Sequence, residues 1–151
     1  MSYIIEQLIN SSSSSNNSLK SCVASSTVIS TLKSTSTTVE ESSTYLGCWT
    51  VSGFEGTVRI SATIKHARAS AGGLFLYINN TDKLTHHFYS SSTSSTTVTA
   101  DIFVKNGDKL YFTLSPGAVA TSMGTAYYNM TCSSIKVCGT LSDSILTPGV
   151  Y

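Results

Sequence analysis

From Thr57 to Lys65 polar and apolar residues alternate without a break. Val58, Ile60, Ala62 and Ile64 interleave with Thr57, Arg59, Ser61, Thr63 and Lys65. That period of two predicts a strand with one buried face. The pattern returns from Thr96 to Lys105, where Val98, Ala100, Ile102 and Val104 share a face. Asn106-Gly107-Asp108 then reads as a hairpin turn, because Gly107 can adopt the positive φ that such turns need. Leu110, Phe112 and Leu114 carry the alternation onto the return strand. Leu74 to Ile78 is nearly continuous in apolar residues, which predicts a strand buried on both faces. Ala71-Gly72-Gly73 breaks the chain before it, and Asn79-Asn80-Thr81-Asp82 turns the chain after it. Trp49 and Val51 lead into Gly53-Phe54-Glu55-Gly56, which reads as a turn. Leu84 to Tyr89 reads as a strand. Tyr127 to Cys132 and Ile135 to Cys138 read as two more, around Ser133-Ser134. Between Leu19 and Val51 the inward positions of short strands fall to Val23, Val28, Ile29, Leu32 and Val39, in a Thr- and Val-rich context that favours strand over helix.

Roughly eight to ten short strands with turn signals every ~8–12 residues specify an all-β chain, an antiparallel β-sandwich or barrel. Residues 1–18 stand apart. Tyr3, Ile4, Ile5, Leu8 and Ile9 could form one or two turns of an amphipathic helix. Asn10 to Ser18 is a Ser/Asn run with nothing to bury, and reads as a linker. The expected organisation is therefore an N-terminal peptide and linker over 1–18 and a β-sandwich domain over 19–151.

Composition narrows the function. The chain has 151 residues, the size of one domain, with a formal net charge of +1 and only 11% charged residues. That is less than half of the ~25% usual in soluble domains. Ser and Thr fill about a third of it. Without a basic face it is not expected to bind nucleic acid. No apolar run approaches the 18 residues of a membrane span, so no membrane partner is expected. The opening Met-Ser-Tyr-Ile-Ile-Glu lacks the basic flank of a signal peptide, and Glu6 interrupts its apolar run. Synthesis in the cytoplasm without export is the expectation.

No motif supplies a chemistry. His86 and His87 are adjacent, so a strand points them to opposite faces and they cannot share a metal, although His66 could approach one of them. Glu40 and Glu41 are split in the same way. Asp82 and Asp108 suit turns, which leaves no facing carboxylate pair for acid/base work. No nucleophile elbow or phosphate loop occurs. Cys22, Cys48, Cys132 and Cys138 form no CxxC pair and read as buried free thiols, with a disulfide set formed after release from the cell as the alternative. Asn10, Asn16, Asn79 and Asn129 each begin an Asn-x-Ser/Thr triplet; without a signal peptide these read as accidents of a Ser/Thr-rich composition. No catalytic residue, metal or cofactor is expected. The aromatic residues offer contact surface instead, since a tyrosine joins an apolar ring to a hydrogen-bonding tip. Trp49, Tyr89, Tyr127 and Tyr128 are the candidates for contact with a glycan or a neighbouring subunit.

Three segments carry a likeness: Gly56-Thr57-Val58-Arg59-Ile60, Leu74-Phe75-Leu76-Tyr77-Ile78-Asn79, and the hairpin Asp101-Ile102-Phe103-Val104-Lys105-Asn106-Gly107-Asp108-Lys109-Leu110-Tyr111-Phe112. The stretch from Gly56 to Leu114 that holds them resembles the core of small jelly-roll domains in accessory virion proteins of tailed bacteriophages and, more distantly, in trimeric C1q/TNF-like heads. The resemblance implies a jelly-roll-like sandwich without enzymatic activity, a capsid decoration, head fibre or tail-associated subunit located in the virion. Its partners would be further copies of itself, as a homotrimer, and other virion structural proteins. Residues Tyr3, Ile4, Ile5, Leu8 and Ile9 would dock to the particle. A carbohydrate-binding, receptor-binding module that contacts a cell-surface glycan is the alternative function.

Overall fold

The computed structural model describes residues 19–68, 72–141 and 146–148. Among them are thirteen strands and no helix. The strands are β1 (Lys20–Cys22), β2 (Val28–Lys33), β3 (Thr37–Val39), β4 (Thr44–Val51), β5 (Phe54–His66), β6 (Gly73–Ile78) and β7 (His86–Phe88), followed by β8 (Thr96–Val104), β9 (Lys109–Ser115), β10 (Gly117–Thr121), β11 (Gly124–Tyr128), β12 (Met130–Cys138) and β13 (Leu146–Pro148). One sheet runs β13-β4-β9-β6-β7. In the other, β5 lies between β8 and β12, β2 and β3 pair with the far side of β12, and β1 pairs in parallel with the first residues of β5. A single apolar core draws on both sheets, which makes the fold a β-sandwich. Hairpin β10–β11 forms a two-stranded sheet of its own.

Most of the antiparallel pairings are nested in sequence. β6 pairs with β7, β5 with β8, β4 with β9, and β2 and β3 with β12. Further pairings of β5 with β12 and of β9 with β6 join these ribbons side by side.

The alternating patterns dictate which face is buried. Val58, Ile60, Ala62 and Ile64 on β5 are at most 1% exposed, and so are Leu110, Phe112 and Leu114 on β9. Each such side chain contributes about 1.5–3 kcal/mol by leaving water. The turn at Asn106–Asp108 is tied down from both sides. The Gly107 and Asp108 amides donate to Val51 and Lys105 carbonyls at 2.8 and 3.0 Å, and the Asp108 carboxylate accepts from the Lys105 amide at 2.8 Å. Gly107 has φ +91, as the turn requires.

Five expectations need correction. Val23 and Val28 are not inward: Val23 lies outside any strand and is 62% exposed, and Val28 is 47% exposed because its neighbour Ile29 takes the buried face of β2. The turn before β5 is confined to Ser52-Gly53. Phe54 already belongs to the strand and is fully buried, because the period-two register of Val58 and Ile60 extends back to it. β6 is not buried on both faces: Leu74 and Leu76 are fully buried, but Phe75 and Tyr77 on the opposite side are only half-buried. The strand expected from Leu84 to Tyr89 is only three residues long. The two strands expected from Tyr127 to Cys138 are divided elsewhere. Tyr127 and Tyr128 end β11, and Met130–Cys138 is one continuous strand whose bulge at Ser133 absorbs the polar pair.

These contacts predict unequal costs along one hairpin. Phe112→Ala removes a fully buried ring beside Trp49 and should cost about 3–5 kcal/mol. Gly107→Ala meets no neighbour and should cost only the ~1–2 kcal/mol of a left-handed backbone. Urea denaturation of the two variants measures the difference. Equal losses would contradict this account of the core.

Candidate functional site

Several uncommon features meet where β5 ends. The inward stripe of β5 does not stop at Ile64 but continues to His66, which is 1% exposed. The same period of two that predicts Val58 to Ile64 places His66 inside. The strand runs one residue beyond the Lys65 at which the alternation of polar and apolar residues ends. Neither ring nitrogen of His66 has a hydrogen-bond partner. A buried imidazole in that state is stable only when neutral. Burial, reinforced by the nearby positive charge that His87 can carry, lowers its pKa below the ordinary 6.5.

An aromatic chain leads away from His66. The Tyr89 ring stands edge-on to it at 5.0 Å, and the His87 ring lies 5.7 Å from Tyr89. His87 in turn stands edge-on to Phe75 at 4.6 Å and donates through Nε2 to the Gly72 carbonyl at 2.9 Å. His86 shares the core-facing side of β7 with Phe88, against Leu76 and Leu74, while His87 faces Phe75 on the other side. The two adjacent histidines are thus split across the sheet, as the strand geometry requires. Burial, together with His87, also lowers the pKa of His86.

Glycine makes the next link. A side chain at Gly73 would run into His87 and the Phe88 carbonyl, and one at Gly72 would lie 2.6 Å from the backbone of Pro116 and Gly117. Hairpin β10–β11 starts at that point. It carries no charged residue from Gly117 to Tyr128. Met123 at its tip is 96% exposed, and Val119 and Tyr127 are also exposed. Tyr128 lies beneath the Arg68 guanidinium, 4.9 Å from the ring centroid, and accepts a hydrogen bond from it.

On the outer face beside this end is a pocket of about 180 Å³ lined by Thr38, Lys65, Ala67, Asn129 and Thr131. The Thr38 and Thr131 hydroxyls bond each other at 2.8 Å, and the Ala67 amide donates to the Asn129 carbonyl at 2.9 Å. The lining offers an ammonium group, two hydroxyls and an amide, which suits it to a small polar ligand rather than an apolar one. No group of three or more potential metal ligands occurs among the described residues.

The structure brings Tyr89 to the same end of the sandwich as Tyr127 and Tyr128, which are consecutive on β11. Trp49 is not with them. It is half-buried, edge-on to Phe112 at 5.8 Å, and its ring occupies the space over Gly47. The proposed docking residues Tyr3, Ile4, Ile5, Leu8 and Ile9 lie outside the described residues. Of the carboxylates, Asp101 is held by Arg59 at 2.8 Å, and Asp108 also accepts from the Asn79 amide group at 2.9 Å. All four cysteines are buried free thiols, and burial raises the pKa of Cys132 and Cys138.

Gly72→Ala should therefore loosen the hairpin specifically. Its φ of +110 and the closeness of Pro116 combine to a cost of at least ~1–2 kcal/mol. Amide exchange over residues 117–128 should accelerate while that of β5 holds. Unchanged exchange in the hairpin would remove Gly72 from this chain of contacts. Comparison with family models and with curated proteins finds no match for the chain.

Proposed function

We propose that the chain is a non-enzymatic structural subunit of a phage virion that self-associates through its sandwich and docks to the particle through residues 1–18. The observation that carries self-association is the outer face of the sheet containing β8, β5 and β12. Across β8 and β5 that face presents Thr97 beside Thr63, Thr99 beside Ser61, Asp101 beside Arg59, and Phe103 beside Thr57. Within this strip Arg59 and Asp101 pair with each other, and the Thr63 and Thr97 hydroxyls bond each other at 3.0 Å. Such a surface costs little to desolvate against a copy of itself. Phe103 is 55% exposed, on a strand that pairs with β5 alone among the described residues. An exposed apolar ring on an open edge is the kind of feature that a second subunit covers. The nested pairing of strands supports a jelly-roll reading, because rolling one long antiparallel ribbon into two sheets leaves that order.

The oligomer expected is closed, and a trimer by the resemblance. Light scattering on the full chain should give a multiple of the 16.0 kDa monomer, and Phe103→Asp should return it to the monomer without unfolding it. A monomer for the unaltered chain would defeat the self-association. Deleting residues 1–18 should leave the oligomer intact and abolish uptake into particles.

A second reading, a receptor-binding module that contacts cell-surface glycan, is favoured by one observation: exposed Tyr89 and Tyr127 share an end of the sandwich with the hydroxyl- and amide-lined pocket. Tyrosine rings stack on sugar faces while hydroxyls and amides take the sugar's hydrogen bonds. A glycan array should then show binding that Tyr127→Ala or Tyr89→Ala weakens. Silence across the array would leave the structural role alone.

A further inference from the structure

We propose that His66 is an acid-sensitive latch: its neutral ring holds the β7 segment and hairpin β10–β11 to the sandwich, and proton uptake drives the ring out and frees both. The geometry has three parts. His66 is buried with both nitrogens unpaired, so a proton taken up inside would place a charge where no acceptor meets it. Its ring contact is Tyr89, which touches His87, which is bonded to Gly72, which packs against the first residue of the hairpin. Loss of the first contact is therefore felt at the last. The hairpin has only two strands, and its pairing alone does not hold such a unit firmly in water.

Among the described residues no counter-ion offsets the charge. On β5 itself, Lys65 points to the opposite face and Ile64 is the next inward residue. β12 places Met130 opposite His66, with the buried Cys132 thiol further along the strand. β7 and the residue after it supply His86, His87 and Tyr89, none of which brings a carboxylate. Among the described residues no carboxylate pairs with His66. The histidines thus oppose one another's protonation. The pKa of His66 is lowered in the fold, so the unfolded or opened form binds the proton more tightly. The latch is fully closed above the ordinary value of 6.5 and weakens as pH falls from there through the folded pKa.

Hydrogen exchange of the full chain, corrected for intrinsic rates, tests this at about pH 7.5 and about pH 5. Segments 86–89 and 117–128 should lose protection at the lower pH, as the opened form takes up the proton that the closed form excludes. Segments 58–62 and 110–114 should keep theirs. His66→Phe, which keeps a ring and cannot titrate, should abolish the difference. A loss spread equally over the core segments, no loss at all, or a loss that survives in His66→Phe overturns the latch. Should that variant not fold, the wild-type chain decides: an NMR titration midpoint for His66 below 6.5 supports the latch, and one at or above 6.5 overturns it.

Discussion

The fold depends on β5 being paired along most of its length on both sides. Its polar backbone groups are satisfied by β8 and β12, which leaves its side chains free to divide cleanly between core and solvent. The inward stripe from Val58 to Ile64 meets Leu110, Phe112 and Leu114 of the opposite sheet in one core. A one-residue slip in either pairing would exchange that stripe for Arg59, Ser61, Thr63 and Lys65. The bulge at Ser133 is where β12 spends its one extra residue to stay in register with β5. Everything at the far end of β5, from His66 to the hairpin, inherits its position from this strand.

A second constraint is the scarcity of charge. With 11% charged residues, the sheet surfaces are covered by hydroxyls that bond to one another across strands, as Thr63 does to Thr97 and Thr38 to Thr131. Such pairs stabilise the sheet modestly and fix no long side chain in place. The face they make is neither repellent to a like copy nor strongly attractive to an ion. The ion pair on it, Arg59 with Asp101, is solvent-exposed and adds little to stability.

The sandwich and most of its buried positions were legible in the sequence because a strand's period of two survives in side-chain polarity. Val58 to Ile64, Val98 to Val104 and Leu110 to Leu114 could be placed from alternation alone. Phe54 was harder, since the glycines on either side of it suggested a turn where only Gly53 makes one. The boundary between β11 and β12 was hidden because Tyr128, Asn129 and Met130 carry no break in pattern; only pairing with different partners separates them. The candidate site was legible in its parts and not in its assembly. Tyr89, Tyr127 and Tyr128 stood out by type, but local spacing holds nothing to bring Tyr89 to the other two. His66 lay in the open as the next member of a buried stripe, concealed by the habit of reading histidine as polar.

The nested pairing has a consequence for how the chain reaches this state. β6 finds β7 across a short loop, whereas β5 waits for partners that lie some 40 and 70 residues further along. Closing such loops costs entropy before any contact repays it, so folding should be slow compared with a helical domain of this size. During synthesis β12 emerges after the other strands of its sheet, and until it does one edge of β5 stays unpaired. The outward lysines of that sheet, Lys65 and Lys136, then act as a safeguard, keeping half-built chains from zipping to one another before the last strand closes the sheet.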